Sequence, residues 1–272
     1  MSSPERIPPV FLDKIWGSTR IDPWFTPTDR RIGEVWFSRE RDIPLLFKFI
    51  FTEQALSVQV HPGDEFARMH ENSAGKTEMW HILRADPGGR LALGFREPIT
   101  PQQMRAASVS GEIEEMLNWF EVKPGETYMV EAGTVHALGA GLALVEIQQF
   151  SDVTYRLYDY GRPRPLHLDK AMAVANTGSH QGAQPPETSA NGWQIIGESR
   201  YFRTEIRSLS GSFDYRTEAS GPELMAVLAG HGSFGGEDFR AGEVWMIPAE
   251  AEALPIEPNA TATILRTFVP RP

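Results

Sequence analysis

The chain consists mainly of short hydrophobic or alternating segments separated by turn residues. Residues 32–38 alternate between apolar and polar side chains, as in a strand with one exposed face. Residues 45–51 are nearly all apolar, which is typical of a strand buried on both faces. Similar segments follow at 79–83, 91–95 and 142–150. The pattern predicts a mostly β protein.

Two segments have helical patterns instead. Thr100 followed by Pro101 is a good helix start, because a threonine side chain caps the first turn and proline fits its first position. Apolar residues recur at helical spacing over 112–119. We predict a helical insert at about residues 98–119, and a second short helix over 166–175.

The last 80 residues repeat the strand and turn pattern after a polar, breaker-rich segment at 176–193. Such a segment is typical of a linker. Short strands joined by glycine-rich turns indicate rolled β-sandwiches. We therefore predict two tandem jelly-roll barrels: residues 1–180 with the helical insert, and a smaller unit at 181–272.

Composition narrows the classes of function. The 272 residues include no cysteine, which excludes disulfides and thiolate metal ligands, and the net charge is -10. An acidic chain lacks the basic surface that nonspecific nucleic-acid binding requires. The sequence begins without signal-peptide features and contains no apolar stretch of the ~18 residues that span a membrane. We expect a cytoplasmic location and no membrane or nucleic-acid partner.

The main chemical signal is a polar pair inside the apolar run 57–61. Gln59 and His61 are two residues apart, so in a strand both side chains point to one face. Buried polar groups without partners are unfavourable, and a shared metal ion would remove that cost. Glu78 and His136, in two other short segments, offer further ligand atoms. The sequence predicts a mononuclear metal site built on strands.

The segments around these residues resemble a known family. The motifs LSVQVHP at 56–62, GKTEMW at 75–80 and GTVHA at 133–137 are similar to those of type I mannose-6-phosphate isomerase, in its short bacterial form. Other segments fall in the order of that family, at 14–17, 32–36, 44–48 and 155–160. The resemblance covers nearly the whole chain and implies a cupin fold with a smaller second cupin-like domain that lacks the metal site.

The resemblance implies one zinc ion per chain, held by Gln59, His61, Glu78 and His136. Imidazole, carboxylate and amide oxygen all suit zinc and leave a position open for water or substrate. A nitrogen and oxygen ligand set without thiolate also accepts manganese, iron or cobalt, so the sequence alone leaves the metal open.

The resemblance also implies roles around the metal. Arg156 would lie beside the reacting carbons, while Ser57 and Lys76 would line the sugar-phosphate site. Arg162 corresponds to a phosphate-contacting cation of the family. Trp16 is expected to form part of the wall of the substrate pocket.

The implied reaction interconverts mannose 6-phosphate and fructose 6-phosphate through an enediol. The metal would stabilise the charge that develops on oxygen, and Arg156 would add a fixed positive charge. Two residues are candidates for the general base. Glu146 shares strand parity with its apolar neighbours, which places a carboxylate inside, and Lys76 could serve if burial and the metal depress its pKa. The sequence leaves this choice open, together with whether the protein is a monomer or a homodimer.

Two alternative functions differ in observable ways. If Ser57, Lys76 and Arg162 converge near the metal, the substrate is phosphorylated; if they face elsewhere, the enzyme could isomerise a non-phosphorylated sugar. A cupin that binds metal and senses sugars without turning them over is a third possibility. The presence of four ligands together with Arg156 argues against it.

Overall fold

The computed structural model describes residues 3–189, 192–217, 219, 221–249 and 253–271. Within these ranges the chain forms 22 strands and four helices, which confirms the mostly β prediction. No helix in the described ranges is long and apolar enough to cross a membrane.

The elements follow the chain in this order. The first twelve strands are β1 (Glu5–Ile7), β2 (Val10–Ser18), β3 (Ile32–Ser38), β4 (Leu45–Phe51), β5 (Val58–Val60), β6 (Glu78–Ala85), β7 (Arg90–Phe95), β8 (Leu117–Glu121), β9 (Thr127–Val130), β10 (His136–Leu138), β11 (Leu142–Gln149) and β12 (Tyr155–Tyr158). The helices are α1 (Asp64–Glu71), α2 (Pro101–Ser110), α3 (Ile113–Met116) and α4 (Leu168–Val174). The later strands are β13 (Glu187–Thr188), β14 (Gln194–Glu198), β15 (Arg203–Leu209), β16 (Phe213–Tyr215), β17 (Glu223–Ala229), β18 (His231–Phe234), β19 (Glu237–Arg240), β20 (Val244–Ile247), β21 (Leu254–Pro258) and β22 (Ala262–Phe268).

These strands form two pairs of facing sheets. A six-stranded sheet, β2-β3-β4-β11-β6-β9, faces a five-stranded sheet, β12-β5-β10-β7-β8, and we call this pair the N-terminal sheets. A seven-stranded sheet, β1-β20-β17-β22-β15-β14-β13, faces a four-stranded sheet, β16-β21-β18-β19, and we call this pair the C-terminal sheets. Helices α2 and α4 pack with the outer face of the five-stranded sheet.

The six-stranded sheet is covered on both faces. Phe47 and Phe49 of β4 belong to a core shared with the seven-stranded sheet, whereas Ile50 faces the interior of the N-terminal sheets. All seven residues of β4 are buried, as its apolar sequence predicts. The six-stranded sheet, which carries Glu78 and Glu146, is therefore packed from both sides.

The two ends of the chain meet in one sheet. Strand β1 pairs antiparallel with β20, so the first strand completes the C-terminal sheets. In the predicted linker 176–193, most of the chain follows an irregular path and β13 pairs with β14. Ala190 and Asn191 of that segment lie outside the described residues.

The predicted helical insert differs from the structure at its C-terminal end. Thr100 caps α2 as expected, accepting a hydrogen bond from Gln103 N, with Pro101 in the first turn. The helical pattern over 112–119 forms only the single turn α3, and the chain then enters β8. Strand β8 pairs with β7, and this non-local pairing overrides the local periodicity. Helix α1, which was not predicted, follows β5 directly.

Candidate metal centre and active site

One row of residues crosses three neighbouring strands of the five-stranded sheet. Gln59 on β5 lies directly opposite His136 on β10 and Arg156 on β12. Residues directly opposite each other in antiparallel strands project to the same face, so these three side chains point together into the space between the N-terminal sheets. His61 follows one residue after β5 with the same parity.

The facing sheet supplies a carboxylate. Glu78 is the first residue of β6. Its Oε2 lies 3.6 Å from His61 Nε2, and its Oε1 lies 3.5 Å from His136 Nε2. The ligand atoms of these three residues all lie within 4.8 Å of one another, and all three side chains are buried. Sequence positions 61, 78 and 136 therefore meet at one point, as the ligand pattern predicts.

Both histidines are oriented with Nε2 towards Glu78. His61 Nδ1 lies 2.8 Å from Val153 O, and His136 Nδ1 lies 2.8 Å from Thr134 O. Donation from Nδ1 to these carbonyl oxygens leaves each Nε2 unprotonated, with a lone pair that can ligate a metal. Backbone carbonyls hold metal-binding histidines in this way in many proteins.

Burial keeps the two imidazoles neutral. It lowers the pKa of His61 well below 6.5, with a further contribution from the charge of Lys76. Burial also lowers the pKa of His136 to about 4. Neutral imidazole is the form that ligates a metal, so the electrostatics of the site match the geometry.

The carboxylate of Glu78 is the clearest indication that these residues fit a metal ion. Neither of its buried oxygens accepts a hydrogen bond of normal geometry from any described residue. Lys76 Nζ lies 2.5 Å from Oε2 and 2.9 Å from His61 Nε2, so the amine of Lys76 stands among the ligand atoms. Burial, followed by the charge of Glu146, raises the pKa of Glu78 to about 7. A divalent cation would satisfy both oxygens, so the residues fit a metal.

Gln59 can act as a fourth ligand. Its amide oxygen Oε1 lies 3.1 Å from Ser57 Oγ, and its amide nitrogen Nε2 lies 3.2 Å from the ring nitrogen Nε2 of His136. The serine hydroxyl can donate to the oxygen or accept from the nitrogen, and amide orientation is assigned from such networks. With the amide turned over, Oε1 would point towards the histidines and Ser57 would still be bonded.

A second buried charge network lies beside the ligands. Glu146 on β11 accepts hydrogen bonds of 2.9 Å from Lys48 Nζ and from Trp80 Nε1, and both donors lie directly opposite it on neighbouring strands. Burial alone would raise the pKa of Glu146, but the charges of Lys48 and Lys76 outweigh it and hold that pKa well below 4.5. Glu146 is therefore ionised, and its Oε1 lies 3.9 Å from Lys76 Nζ.

We expect Lys48→Met to lower the free energy of unfolding by about 3 kcal/mol at pH 7, because it leaves Glu146 buried without its main partner. The pKa of Glu146 is lowered in the folded state, so the stabilisation is present above 4.5 and is lost as pH falls below that value. The difference between the two proteins should therefore shrink in acid.

Denaturant unfolding of the metal-free proteins measures this effect. Lys14→Met is a matched control, because the Lys14 side chain is 31% exposed and pairs with Glu34 at 3.3 Å, so its loss should cost less than about 1 kcal/mol. Equal losses of unfolding free energy in the two variants would contradict the assignment of Lys48 as the main charge partner of Glu146.

A cavity of about 280 Å³ opens beside the ligands. Ser57, Gln59, Lys76, Glu146 and Arg156 line it, as does the buried Trp16. The structure thus brings most of the predicted site residues to one cavity. Arg156 Nη1 donates to Pro165 O at 2.9 Å, while its buried Nε has no hydrogen-bond partner among the described residues.

Arg162 is not among the residues that line this cavity, and Arg164 is. The Arg162 guanidinium is bonded to the backbone and side chain of Asp159 and lies over the Tyr160 ring. Arg164 forms two hydrogen bonds of 2.6 Å to the same buried carboxylate. The residues that line the cavity include five basic ones, Lys14, Lys48, Lys76, Arg156 and Arg164, and three acidic ones, Glu34, Glu146 and Asp152, so basic side chains are in excess there although the protein is acidic overall.

The residues that line the cavity include two basic side chains, Lys48 and Arg164, that the sequence did not predict as site residues. Lys48 stands alone among apolar neighbours in a fully buried strand, and this was a usable signal. Arg164 lies two residues after Arg162 in a loop, where periodicity does not reveal which side chain turns inward.

Comparison with known proteins identifies relatives of this chain in sequence and in structure. No protein-family model matches it. It is 33% identical over 294 residues to the mannose-6-phosphate isomerase ManA of Bacillus subtilis (strain 168), covering 88% of this chain and 91% of that protein.

Solved structures share the fold. The crystal structure of the mannose 6-phosphate isomerase from Bacillus subtilis matches with a TM-score of 0.89 and 26% identity, covering 98% of this chain and all of that one. A zinc-bound mannose 6-phosphate isomerase matches with a TM-score of 0.77 over 99% of this chain and 100% of that one, and at 13% identity it shows the fold alone. This chain belongs to the mannose-6-phosphate isomerase family.

Proposed function

We propose that this chain interconverts mannose 6-phosphate and fructose 6-phosphate through an enediol intermediate, with one zinc ion bound per chain. The observation that supports this most is the buried cluster of His61, Glu78 and His136 beside a cavity lined with cations. Membership of the mannose-6-phosphate isomerase family identifies the sugar phosphates.

His61, Glu78 and His136 would hold the zinc, with Gln59 as the fourth protein ligand. When bound, zinc supplies a Lewis acid that polarises a substrate oxygen and stabilises negative charge on it. The ligand set carries a single negative charge, so it leaves the bound ion with a net positive charge. Manganese, iron and cobalt are the alternative metals for these ligands.

Arg156 supplies a second, fixed positive charge at the reacting carbons. It lies in register with Gln59, on the strand next to the ligands, and lines the cavity. A preorganised guanidinium stabilises an enediolate oxygen without rearranging during the reaction. Arg156 Nε, which has no hydrogen-bond partner among the described residues, could donate to the same substrate oxygen.

Lys76 takes the proton from C2 and returns it at C1, and the ionised Glu146 stabilises the ammonium form of Lys76 that exists between the two transfers. A general base works best when its pKa lies near the working pH, and the pKa of Glu146 is held too low for this. Glu146 Oε1, at 3.9 Å from Lys76 Nζ, instead orients the amine. Ser57 and Trp16 complete the wall against which the sugar lies.

Arg164 binds the phosphate group, in place of Arg162. Its guanidinium is fixed by two hydrogen bonds to Asp159 and remains 28% exposed at the cavity. Arginine forks match phosphate oxygens well. The family resemblance indicates a cation in this loop, and the geometry favours Arg164.

Arg164→Met should lower kcat/KM for mannose 6-phosphate by about 10- to 100-fold, since a hydrogen bond between charged groups is worth about 1.5–3 kcal/mol. Arg162→Met is the matched control: it removes the other arginine on Asp159 and should change kcat/KM by less than about threefold. Steady-state kinetics on both variants measure this difference. A larger loss of kcat/KM in Arg162→Met than in Arg164→Met would assign phosphate binding to Arg162.

We propose further that residues 1–180 form the metal-binding unit and 181–272 a smaller unit without a metal site, with β1 contributed to the latter's sheet. The cytoplasmic location and the choice between monomer and homodimer stay predictions.

A coupled assay tests the function by comparing mannose 6-phosphate with mannose. We expect turnover of the phosphorylated sugar and little of the free sugar. Preferred turnover of mannose would indicate an isomerase of non-phosphorylated sugars, and binding without turnover of either would indicate a sugar-sensing protein.

A further inference from the structure

We infer that Tyr201, in the turn between β14 and β15 of the C-terminal sheets, positions Lys76 for catalysis through Asp64. The inference rests on the proposed function and deepens it, because it gives the second unit a part in the active site. Lys76 lies in the connection between α1 and β6, which we call the Lys76 loop (residues 72–77).

Side chains hold the backbone on both sides of Lys76. Gly75 N donates to Asp64 Oδ1 at 2.9 Å, and Thr77 N donates to Gln149 Oε1 at 3.0 Å. Gln149 Nε2 also donates to Asp64 Oδ1, at 2.9 Å. Asp64 and Gln149, bonded to each other, therefore hold the backbone on both sides of Lys76.

The loop packs tightly against the start of α1. A Cβ atom at Gly75 would lie 2.6 Å from Asp64 N and 2.7 Å from Gly63 C, so only glycine permits this approach. Lys76 N donates to Pro62 O at 3.0 Å. The position of the Lys76 backbone is thus fixed by the position of the Asp64 segment.

Tyr201 fixes the remaining oxygen of Asp64. Its hydroxyl donates to Asp64 Oδ2 at 2.6 Å, across 137 residues of sequence, from the turn between β14 and β15. The Tyr201 ring packs against the core that the six- and seven-stranded sheets share, which anchors the hydroxyl. Arg200 approaches the same oxygen at 3.3 Å, but its side chain is 75% exposed and contributes little.

The consequence for catalysis lies in distances. Lys76 Nζ reaches Glu78 at 2.5 Å and His61 at 2.9 Å, so a small shift of its backbone changes both contacts. A displacement of about 1 Å can lower a rate by about 100-fold. Tyr201 and Asp64 are therefore positioning residues, and neither touches the substrate.

Tyr201→Phe removes only the hydroxyl. We expect kcat to fall about tenfold while KM changes less than about twofold, because positioning acts on the reacting geometry more than on binding. Zinc content should stay unchanged, and amide hydrogen exchange across the Lys76 loop should become faster. Tyr128→Phe, on β9, is the matched control: it removes a similar 2.8 Å bond to Glu126 and should leave kcat within about twofold.

A double variant separates positioning from a general structural effect. If Tyr201 acts through Asp64, then Tyr201→Phe combined with Asp64→Ala is no slower than Asp64→Ala alone. The inference would be overturned if the two substitutions multiplied their effects on kcat in the double variant. It would also be overturned if kcat were unchanged in Tyr201→Phe, or if a loss of zinc accounted for the lower rate. If the unmodified protein shows no turnover, the proposed function fails instead, and exchange in the Lys76 loop still tests the link to Tyr201.

Discussion

The substitution His61→Ala is expected to remove the bound metal and lower turnover of mannose 6-phosphate by at least about 1,000-fold, which corresponds to about 4 kcal/mol of transition-state stabilisation. His61 supplies one Nε2 ligand atom, held in place by the bond from Nδ1 to Val153 O. Without it, Glu78 and His136 cannot complete a closed set of protein ligands. Zinc content and activity, measured on the same sample, should fall together.

His81→Ala is the matched control for this experiment. His81 is also buried and lies on β6 close to Glu78, but its side chain contacts Thr127 Oγ1 at 2.9 Å and takes no part in the ligand cluster. Zinc should therefore be retained in this variant. Full activity in His61→Ala would mean that the metal site is misassigned.

Arg156→Ala is expected to retain zinc while kcat falls by about 100- to 1,000-fold, the usual effect of removing one preorganised donor to a developing oxyanion. Arg156 shares the face of the ligands, but among the described residues its hydrogen bonds run to His167 and Pro165 and not to any ligating atom. Its loss should therefore separate rate from metal binding.

Arg156→Lys provides the comparison within the same position. It keeps the positive charge but loses the planar fork, so partial activity is expected. If Arg156→Ala lost zinc as well as rate, Arg156 would be structural. If Arg156→Lys were fully active, charge alone would be sufficient at this position.

Several features of the fold could be predicted because local sequence and tertiary contacts agree. The apolar run of β4 matches a strand buried on both faces, and Thr100 caps α2 as its type favours. The meeting of Gln59 with His61 on one face follows from the two-residue repeat of a strand. The approach of Glu78 and His136 could be expected only through the family resemblance, since strand register is not readable from one sequence.

The remaining features depend on non-local geometry. Trp119 was expected in a helix, but its segment pairs with β7 and becomes strand β8. Arg162 and Arg164 both bind Asp159, and only the folded loop shows which one turns to the cavity. The bond between Tyr201 and Asp64 joins two units far apart in sequence, and no local pattern announces it.

These observations give the acidic chain a local chemistry opposite to its overall charge. The N-terminal sheets place a carboxylate and two neutral imidazoles at one point, and Arg156 and Arg164 line the cavity beside it. An anionic sugar phosphate can therefore bind a protein of net charge -10.

Turnover of mannose 6-phosphate by the purified protein, measured before chelation, after chelation and after zinc is returned, tests the central claim most directly. We expect about one zinc per chain in the active protein, loss of turnover when the metal is removed, and recovery when zinc is restored. Protein that contains stoichiometric zinc and converts neither mannose 6-phosphate nor fructose 6-phosphate would contradict it.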